Sequence, residues 1–409
     1  MNSGDLGLYF RGVTAKKISD TEVYSEKHHQ HEFNATTEMK KLLGEDKREF
    51  PNVTYLYLSD EAETIKSSGK MTWYNARKNK PDRSPEYRFT YAMSEVMERM
   101  KKNDSVFICV LKDDQIIVLI AEGESTIEAQ LYWLFSLKPT SGKGTFKEIS
   151  HDDVRITIAA NEILETIGIE PAVDDNNEWL DMMLNKYGGE FPSTKEFSAF
   201  ARGTIRWKTL ETDNDDDILV EWLDQEEMLF RILERHMIQR RLDRGFDDVD
   251  EFIQYSLSVQ NRRKSRVGYA LENHFEEILK ERKILYDRTP VTEKHSKPDF
   301  IFPGIREYHR PEYPEYGLTM LGVKSTCKDR WRQVLAEADR IRDKHLLTLQ
   351  GSISKNQTDQ MKSNHLRLVV PQSIRMTYDP YQRNEIMTVQ DFLDEVREKQ
   401  DKYCHGHQI

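Results

Sequence analysis

Two short apolar segments, each next to a charged residue, are the sequence features that most constrain the fold of this chain. Residues 299–302 and 318–323 are mostly apolar and predict two buried strands. A Pro298-Asp299 pair stands at the start of the first strand, and Lys324 follows the second strand directly. Buried strands among helical segments indicate an α/β domain with charged side chains at its strand ends.

Periodicity predicts the neighbouring elements of the second half. Helices are expected over 218–242, 249–257, 264–282 and 331–341, with short strands over 345–349 and 366–371. The first half is mostly β, with strands over 53–58, 71–73, 105–111 and 115–121 and a helix over 125–136. The polar turn 112–114 predicts a hairpin between two of these strands.

A polar stretch near residues 172–188 predicts a domain boundary. The 409 residues are enough for two domains. We therefore expect a β-rich domain over 1–172, a linker over 173–188 and an α/β domain over 189–409. The predicted fold class is multidomain α+β.

Bulk composition limits the location and the partners of the chain. Three cysteines in so long a chain favour a reducing compartment. No signal peptide is visible, and the longest apolar run, 116–121, is too short to cross a bilayer. We expect a cytoplasmic protein with no membrane partner.

The charge distribution favours a specific DNA-binding face over nonspecific coating. The chain carries 60 basic and 71 acidic residues, a net charge of −11, which disfavours loose binding to nucleic acid. The basic residues cluster within 77–88, 262–266 and 324–332. Such clusters are typical of docking faces for DNA.

Four residues in the second half have the chemistry of a metal-dependent phosphodiesterase. Asp299 and Glu337 offer hard oxygen ligands suited to Mg²⁺, and Lys324 is expected near Asp299. Glu337 is predicted on the helix after Lys324, and Glu272 is a fourth candidate that could support a metal-bound water. The alternatives are a Pro-Asp turn, a surface lysine and glutamates on solvated helix faces.

Lys328, Asp329 and Arg330 follow Lys324 closely. Lysine and arginine donate to guanine in the major groove and aspartate accepts from cytosine, so the triplet could read adjacent G·C pairs. The competing interpretation is that Asp329 caps a helix and the two cations are solvated.

Several long strings resemble the EcoRII restriction endonuclease family. They are Asn261-Arg-Arg-Lys-Ser-Arg266, Lys297-Pro-Asp-Phe300, Phe302-Pro303, the segment from Lys324 to Gln333, and Glu337-Ala-Asp339. The likeness runs from about residue 191 to residue 373 and is weaker in the first half, where Tyr74-Asn75 is the best match.

The resemblance implies a PD-(D/E)xK restriction-endonuclease-like fold for the second half and a β-rich DNA-binding pseudobarrel for the first. It implies catalysis by Asp299, Lys324 and Glu337. The commoner superfamily pattern has an acid two residues before the lysine, where this chain has Gly322. Lys328, Asp329 and Arg330 would read the outer pairs of a CCWGG-like site.

The resemblance also implies DNA contacts outside the catalytic residues. In the first half the nearest matches are His29, Arg77, Arg83, Glu86 and Arg88, across a one-residue gap near Pro81. In the second half, Arg262 and Arg263 belong to a matching string and are expected to contact DNA.

The implied protein is a Mg²⁺-dependent type II restriction endonuclease that cuts double-stranded DNA. It would act as a homodimer, beside a DNA methyltransferase for the same site. The first half would bind a further copy of that site and restrain the catalytic half. A modification-dependent nuclease and a non-cleaving DNA-binding regulator stay open as alternatives.

Overall fold

The computed structural model of the protein describes residues 6–23, 31–80, 82–139, 144–149, 160, 163–164, 167–169, 177–205, 214–326, 330–351 and 353–404. Its strands form two sheets, one of eight strands in the first half and one of five in the second. Helices accompany both sheets. The chain is therefore a mixed α and β protein, as the sequence predicts.

The larger sheet contains all the strands described in the first half. They are β1 (Phe10–Lys17), β2 (Glu32–Asn34), β3 (Arg48–Leu58), β4 (Ile65–Asn75), β5 (Tyr87–Tyr91), β6 (Ser105–Leu111), β7 (Ile116–Ala121) and β8 (Thr145–Glu148). Their order is β2-β5-β4-β3-β7-β6-β1-β8. Only the β3–β7 pair is parallel among these described strands. The predicted strands and the hairpin at 112–114 are confirmed.

Each face of this sheet packs against its own apolar core. Phe107 of β6 lies in one core, whereas Val106 and Ile108 lie in the other, because successive side chains of a strand point to opposite faces. The helices described here are α1 (Thr37–Leu43), α2 (Glu95–Arg99) and α3 (Thr126–Leu134). The α3 helix confirms the helix predicted over 125–136, and Ser125 caps it.

Helices occupy much of the second half. They are α4 (Asn177–Tyr187), α5 (Thr194–Thr204), α6 (Asp215–Arg244), α7 (Val249–Glu281), α8 (Ile305–His309), α9 (Trp331–Leu335), α10 (Lys355–Ser363), α11 (Gln372–Arg375), α12 (Pro380–Arg383) and α13 (Val389–Cys404). The prediction of two helices over 249–282 is wrong, since α7 is continuous. Its polar middle, 258–265, contains no proline or glycine to break it.

Part of the segment predicted as a linker is helical. The α4 helix covers residues 177–187, and its Met183 is fully buried against Phe197 and Leu229. Apolar residues at helical spacing on α4 explain why it packs against α5 and α6. The division of the chain into two domains stays a prediction.

The smaller sheet brings the ends of two predicted strands together. It contains β9 (Asp287–Arg288), β10 (Phe300–Phe302), β11 (Thr319–Val323), β12 (Lys344–Leu347) and β13 (Leu366–Val369), in the order β13-β12-β11-β10-β9. The β9–β10–β11 pairs are antiparallel and the β11–β12–β13 pairs are parallel. The start of β10 therefore lies beside the end of β11.

Helix α3 of the first half contacts the second half directly. Thr126 Oγ1 donates to the carbonyl oxygen of Ile353 at 3.1 Å. Its backbone nitrogen donates to the buried carboxylate of Asp60 at 2.7 Å. Trp133, also on α3, packs against the apolar cores of both halves. A buried contact between the two halves is therefore part of this fold.

Across the ranges that the structure describes, none of the helices combines the length and the apolar character needed to cross a membrane.

The buried carboxylate of Asp216 links three elements of the second half. It accepts hydrogen bonds from the backbone nitrogens of Gln372, Val389 and Gln390 at 2.8–3.0 Å. We expect Asp216→Ala to lower the free energy of unfolding by about 3 kcal/mol, because an unsatisfied buried donor costs roughly 1–3 kcal/mol. Urea denaturation measures this loss. The neighbouring Asp217 is exposed, so an equal loss in Asp217→Ala would contradict the assignment.

Candidate active site

Asp299 and Lys324 form an ion pair in the smaller sheet, where β10 begins and β11 ends. Lys324 Nζ lies 2.7 Å from Asp299 Oδ2, and the same oxygen accepts the backbone N–H of Val323 at 2.6 Å. The side chains are only 15% and 21% exposed. The antiparallel β10–β11 pair produces this contact, because Asp299 precedes β10 and Lys324 follows β11. The predicted proximity of the two residues is confirmed.

Glu337 also approaches this pair, although not from a helix. Helix α9 ends at Leu335, and Glu337 lies in the bend that follows. The predicted helix over 331–341 is therefore wrong beyond Leu335. Ala338 has a φ of 50°, a left-handed conformation that ends the helix. The predicted apolar contacts persist, with Trp331, Val334 and Ala338 buried.

The absence of an acid two residues before Lys324 has a steric cause. Gly322 is buried in β11, and a Cβ atom added there would lie 3.0 Å from a methyl group of Val334. The Val334 side chain on α9 would have to shift by a few tenths of an ångström to admit it, so the packing disfavours a side chain at this position. The second carboxylate near Lys324 is instead that of Glu337.

The carboxylate of Glu337 lies in an environment that disfavours its charge. Burial raises the pKa of Glu337 to about 7; the charge of Lys324 opposes this rise and that of Asp299 adds to it. Its Oε2 atom is buried without a hydrogen-bond partner among the described residues. An unpaired buried carboxylate oxygen is costly unless a cation or a proton satisfies it.

Glu272 lies on α7 and reaches the edge of this site. Its carboxylate pairs with Arg288 on β9 at 2.8 Å, and the same guanidinium pairs with Glu276 at 2.8 Å. Burial raises the pKa of Glu272, and the bond from Arg288 opposes the rise. Arg288 was not predicted, since an arginine in a two-residue strand gives no distinctive sequence signal.

The donor set suits a hard divalent cation. Asp299 and Glu337 supply carboxylate oxygens, the ligand type that Mg²⁺ prefers, and the buried Oε2 of Glu337 has no donor in the described part of the chain. No group of three or more His, Cys, Asp or Glu side chains is close enough to hold a metal within the described ranges. Two carboxylates would thus leave coordination positions for water and a phosphate.

Of the three predicted base-reading residues, Arg330 alone lies within the described residues. Lys328, Asp329 and also His29 fall outside the residues that the structure describes. Arg330 is exposed and directly precedes α9. Its Nη2 atom donates to the carbonyl oxygen of Thr326 at 3.2 Å. The capping interpretation for Asp329 and the base-reading interpretation both stay open.

Arg262 and Arg263 on α7 contact groups within the protein. The Arg262 guanidinium lies 4.6 Å from the centre of the Phe191 ring. Arg263 Nε donates to Glu234 at 2.7 Å. Neither contact was predicted, and the expected role of the two arginines in DNA binding stays a prediction.

Predicted DNA contacts of the first half meet between β4 and β5. Arg77 pairs with Glu86, and Arg88 pairs with both Glu86 and Glu32. The two glutamates neutralise these arginines, so Arg77 and Arg88 add less positive charge to this surface than the sequence suggests. Arg83, by contrast, is exposed.

Comparisons with known proteins place the likeness in the second half. Residues 230–393 match the family described as EcoRII C terminal, a range that contains Asp299, Lys324 and Glu337. Over 207 residues the chain is 41% identical to the type II restriction enzyme EcoRII of Escherichia coli, and the match covers 50% of each protein. The chain thus spans about half the length of the curated relative it matches. The predicted resemblance to an EcoRII-like type II restriction enzyme is confirmed.

Two solved structures show a more distant likeness. Metal-depleted Ecl18kI in complex with uncleaved, modified DNA is 17% identical, with a TM-score of 0.45, over 57% of this chain and 86% of that chain. A complex of the restriction endonuclease PspGI with substrate DNA is 18% identical, with a TM-score of 0.39, over 55% and 93%. No functional conclusion rests on these two likenesses.

The raised pKa of Glu337 predicts a pH-dependent stability without metal. A carboxyl whose pKa is higher in the folded state destabilises that state as pH rises. We compare the unfolding free energies of Glu337→Gln and the natural protein in EDTA at pH 5 and at pH 8. From pH 5 to pH 8, the value for Glu337→Gln should rise relative to that of the natural protein by about 1–3 kcal/mol, because one pKa unit corresponds to roughly 1.4 kcal/mol. Urea titrations at both pH values measure the difference. The exposed Glu312, changed to Gln, is the control; the same shift there would refute the prediction.

Proposed function

We propose that the chain is a type II restriction endonuclease that makes Mg²⁺-dependent double-strand cuts in DNA. The observation that carries the proposal is the Asp299–Lys324 pair with Glu337 beside it, inside the range that matches the EcoRII C-terminal family. The 41% identity to EcoRII over 207 residues supports the same chemistry. The target proposed from the family resemblance is a CCWGG-like site.

Each residue of the site has a separate task in this proposal. Asp299 and Glu337 would hold Mg²⁺, which when bound polarises the scissile phosphate and activates water. Lys324 would orient the attacking water or take its proton, and its ammonium group would stabilise charge on the phosphate. In the described structure Lys324 is hydrogen-bonded to Asp299. Glu272, held by Arg288, would support a metal-bound water.

Base recognition is assigned to Lys328, Asp329 and Arg330. Arg330 is exposed and donates to the carbonyl oxygen of Thr326, two residues after Lys324, which supports this assignment because it links a reading residue to the strand end that carries Lys324. Arg262 and Arg263 would add contacts to DNA. A near-palindromic target matches a homodimer with two-fold symmetry. The protein would act in the cytoplasm, where a methyltransferase for the same site would protect the host DNA.

We assign the first half as a DNA-binding pseudobarrel that regulates the second half. Its eight-stranded sheet supports this assignment, and so does the exposed Arg83 beside Arg77, Glu86 and Arg88. The resemblance assigns His29, outside the described residues, to DNA binding as well. The buried hydrogen bond between Thr126 and Ile353 joins the first half directly to the second. DNA bound to the first half would favour an open state of the enzyme only to the extent that the DNA binds the open state more tightly than the closed state.

Substitutions at the ion pair test the catalytic assignment. Asp299→Ala and Lys324→Ala should each reduce cleavage by at least about 10³-fold, the scale of removing one preorganised electrostatic group. Binding to a duplex with the CCWGG site in Ca²⁺ should change much less. The readouts are supercoiled-plasmid cleavage in Mg²⁺ and a gel-shift assay. The control is Lys297→Ala, which changes an exposed lysine two residues before Asp299. Near-native cutting by either site variant would show that the active site is elsewhere.

Removal of the first half tests the regulatory assignment. Because α4 begins at Asn177 and packs into the second half, the truncation should start at Asp174 and keep this helix. We expect the fragment to cut a one-site plasmid faster than the whole chain, and the whole chain to prefer a three-site plasmid. Initial rates on the two plasmids, methylated and unmethylated, provide the comparison. Equal rates for both proteins on all substrates would leave the first half as a DNA anchor without regulatory effect.

A further inference from the structure

Glu337 depends for its position on a loop rather than on a regular element. The loop runs from the end of α9 at Leu335 to the start of β12 at Lys344. Within it, Glu337 N donates to Val334 O at 3.2 Å, and Ile341 N donates to Ala338 O at 2.9 Å. Contacts with other elements also hold it: Arg340 N donates to the hydroxyl of Tyr308 at 3.2 Å, and Lys294 pairs with Asp339 at 2.7 Å. The loop is therefore positioned by individual hydrogen bonds and ion pairs and not by the continuous bonding of a helix.

Lys344, at the end of this loop, binds the loop through its side chain. Its Nζ atom donates to the carbonyl oxygens of both Ala338 and Ile341, the first at 3.2 Å. The side chain is only 6% exposed. No carboxylate within the described part of the chain lies near enough to form an ion pair with it, although burial of a lysine charge is costly without one. The two loop carbonyls are therefore the direct partners that stabilise this ammonium group.

The charge of Lys344 also acts on the site. Burial lowers the pKa of Lys344, and the carboxylates of Asp339, Glu293 and Glu337 oppose that shift. In turn, the Lys344 charge favours the ionised form of Glu337. The buried ammonium group of Lys344 therefore offsets part of the free-energy cost of ionising Glu337.

The strand that carries Lys344 connects the loop to the catalytic pair. At its start, Lys344 bonds the loop; at its end, Leu347 O accepts the backbone N–H of Lys324 at 2.9 Å. β12 pairs in parallel with β11, the strand that precedes Lys324. One short strand therefore fixes the positions of Lys324 and of the loop that holds Glu337 relative to each other.

We propose that Lys344 is a positioning residue that holds the Glu337 loop, and through it the metal-binding carboxylate, against the Asp299–Lys324 pair. The inference rests on the proposed function, because it assumes that Glu337 binds the metal. Lys344 touches neither substrate nor metal in this scheme. Its removal should weaken metal binding through Glu337 and leave DNA binding without metal intact.

Direct binding of Mn²⁺ tests the proposal. Isothermal titration of the full chain, bound to a CCWGG duplex with an uncleavable phosphorothioate linkage, gives the Mn²⁺ affinity. We expect Lys344→Met to weaken it by roughly 10-fold or more, the usual effect of removing a group that orients a metal ligand. Lys344→Arg, which keeps donors for the loop carbonyls, should recover part of the loss. Lys362→Met, at an exposed lysine on α10, is the matched control and should bind Mn²⁺ normally.

A double-mutant cycle separates positioning from general stability. If Lys344 acts through Glu337, Lys344→Met should have almost no further effect on Mn²⁺ affinity in a Glu337→Gln background. Additive losses in the two backgrounds would overturn the proposal. DNA binding in EDTA should stay within about twofold of the natural protein, since metal orientation and DNA docking use different groups. A larger loss there would mark Lys344 as a general structural residue.

Two further outcomes are decisive. Should Lys344→Met fail to fold, Lys344→Gln replaces it, and a folded Lys344→Gln with natural Mn²⁺ affinity would overturn the proposal. If Glu337→Gln weakens Mn²⁺ binding while the Lys344 variants do not, only the role of Lys344 fails. If the natural protein neither binds Mn²⁺ nor cuts the plasmid, the proposed function fails and takes the inference with it.

Discussion

The candidate site depends on the pairing of one strand with two unlike neighbours. Strand β11 runs antiparallel to β10 on one side and parallel to β12 on the other. The antiparallel pair puts Asp299 beside Lys324, and the parallel pair fixes the backbone of Lys324 through Leu347. A one-residue slip of β10 against β11 would separate Asp299 from Lys324, because it turns the side chains to the other face. A slip of β11 against β12 would break the bond between Lys324 N and Leu347 O. The sheet register is therefore the constraint on which the chemistry rests.

Close packing behind this sheet determines where the second carboxylate can be. A side chain at Gly322 would crowd Val334, and the second carboxylate near Lys324 lies on the loop after α9. That solution places Glu337 in a poorly hydrated position where its charge is disfavoured. A cation bound there would relieve this cost, so it would stabilise the folded state as well as serve the proposed chemistry. The same loop then needs its own support from buried donors such as Lys344.

The two halves of the chain are not independent in this fold. Helix α3 belongs to the larger sheet by its core contacts, yet Thr126 and Trp133 both reach the second half. A signal from the first half could pass through such a contact only if the contact has two arrangements. The neutralised arginines at the β4–β5 connection indicate that DNA binding there would compete with Glu32 and Glu86 for Arg77 and Arg88.

Local sequence alone determined most strands and the likeness to EcoRII-type enzymes. Strand alternation and the hairpin at 112–114 are short-range signals, so the sequence predicts these elements directly. Residue type and the family resemblance single out Asp299, Lys324 and Glu337 as the candidate site. Periodicity misjudged the helix over 331–341, since its apolar spacing continues after Leu335 while the backbone turns at Ala338.

Tertiary structure decided the remaining features, several of which join residues that are distant in sequence. Arg288 meets Glu272 across 16 residues, and Asp216 bonds Val389 across 173. The steric exclusion at Gly322 and the support from Lys344 likewise depend on neighbours that periodicity cannot reveal. A single sequence records which side chains are available, whereas the packing of strands and helices determines which of them meet and which lose their water.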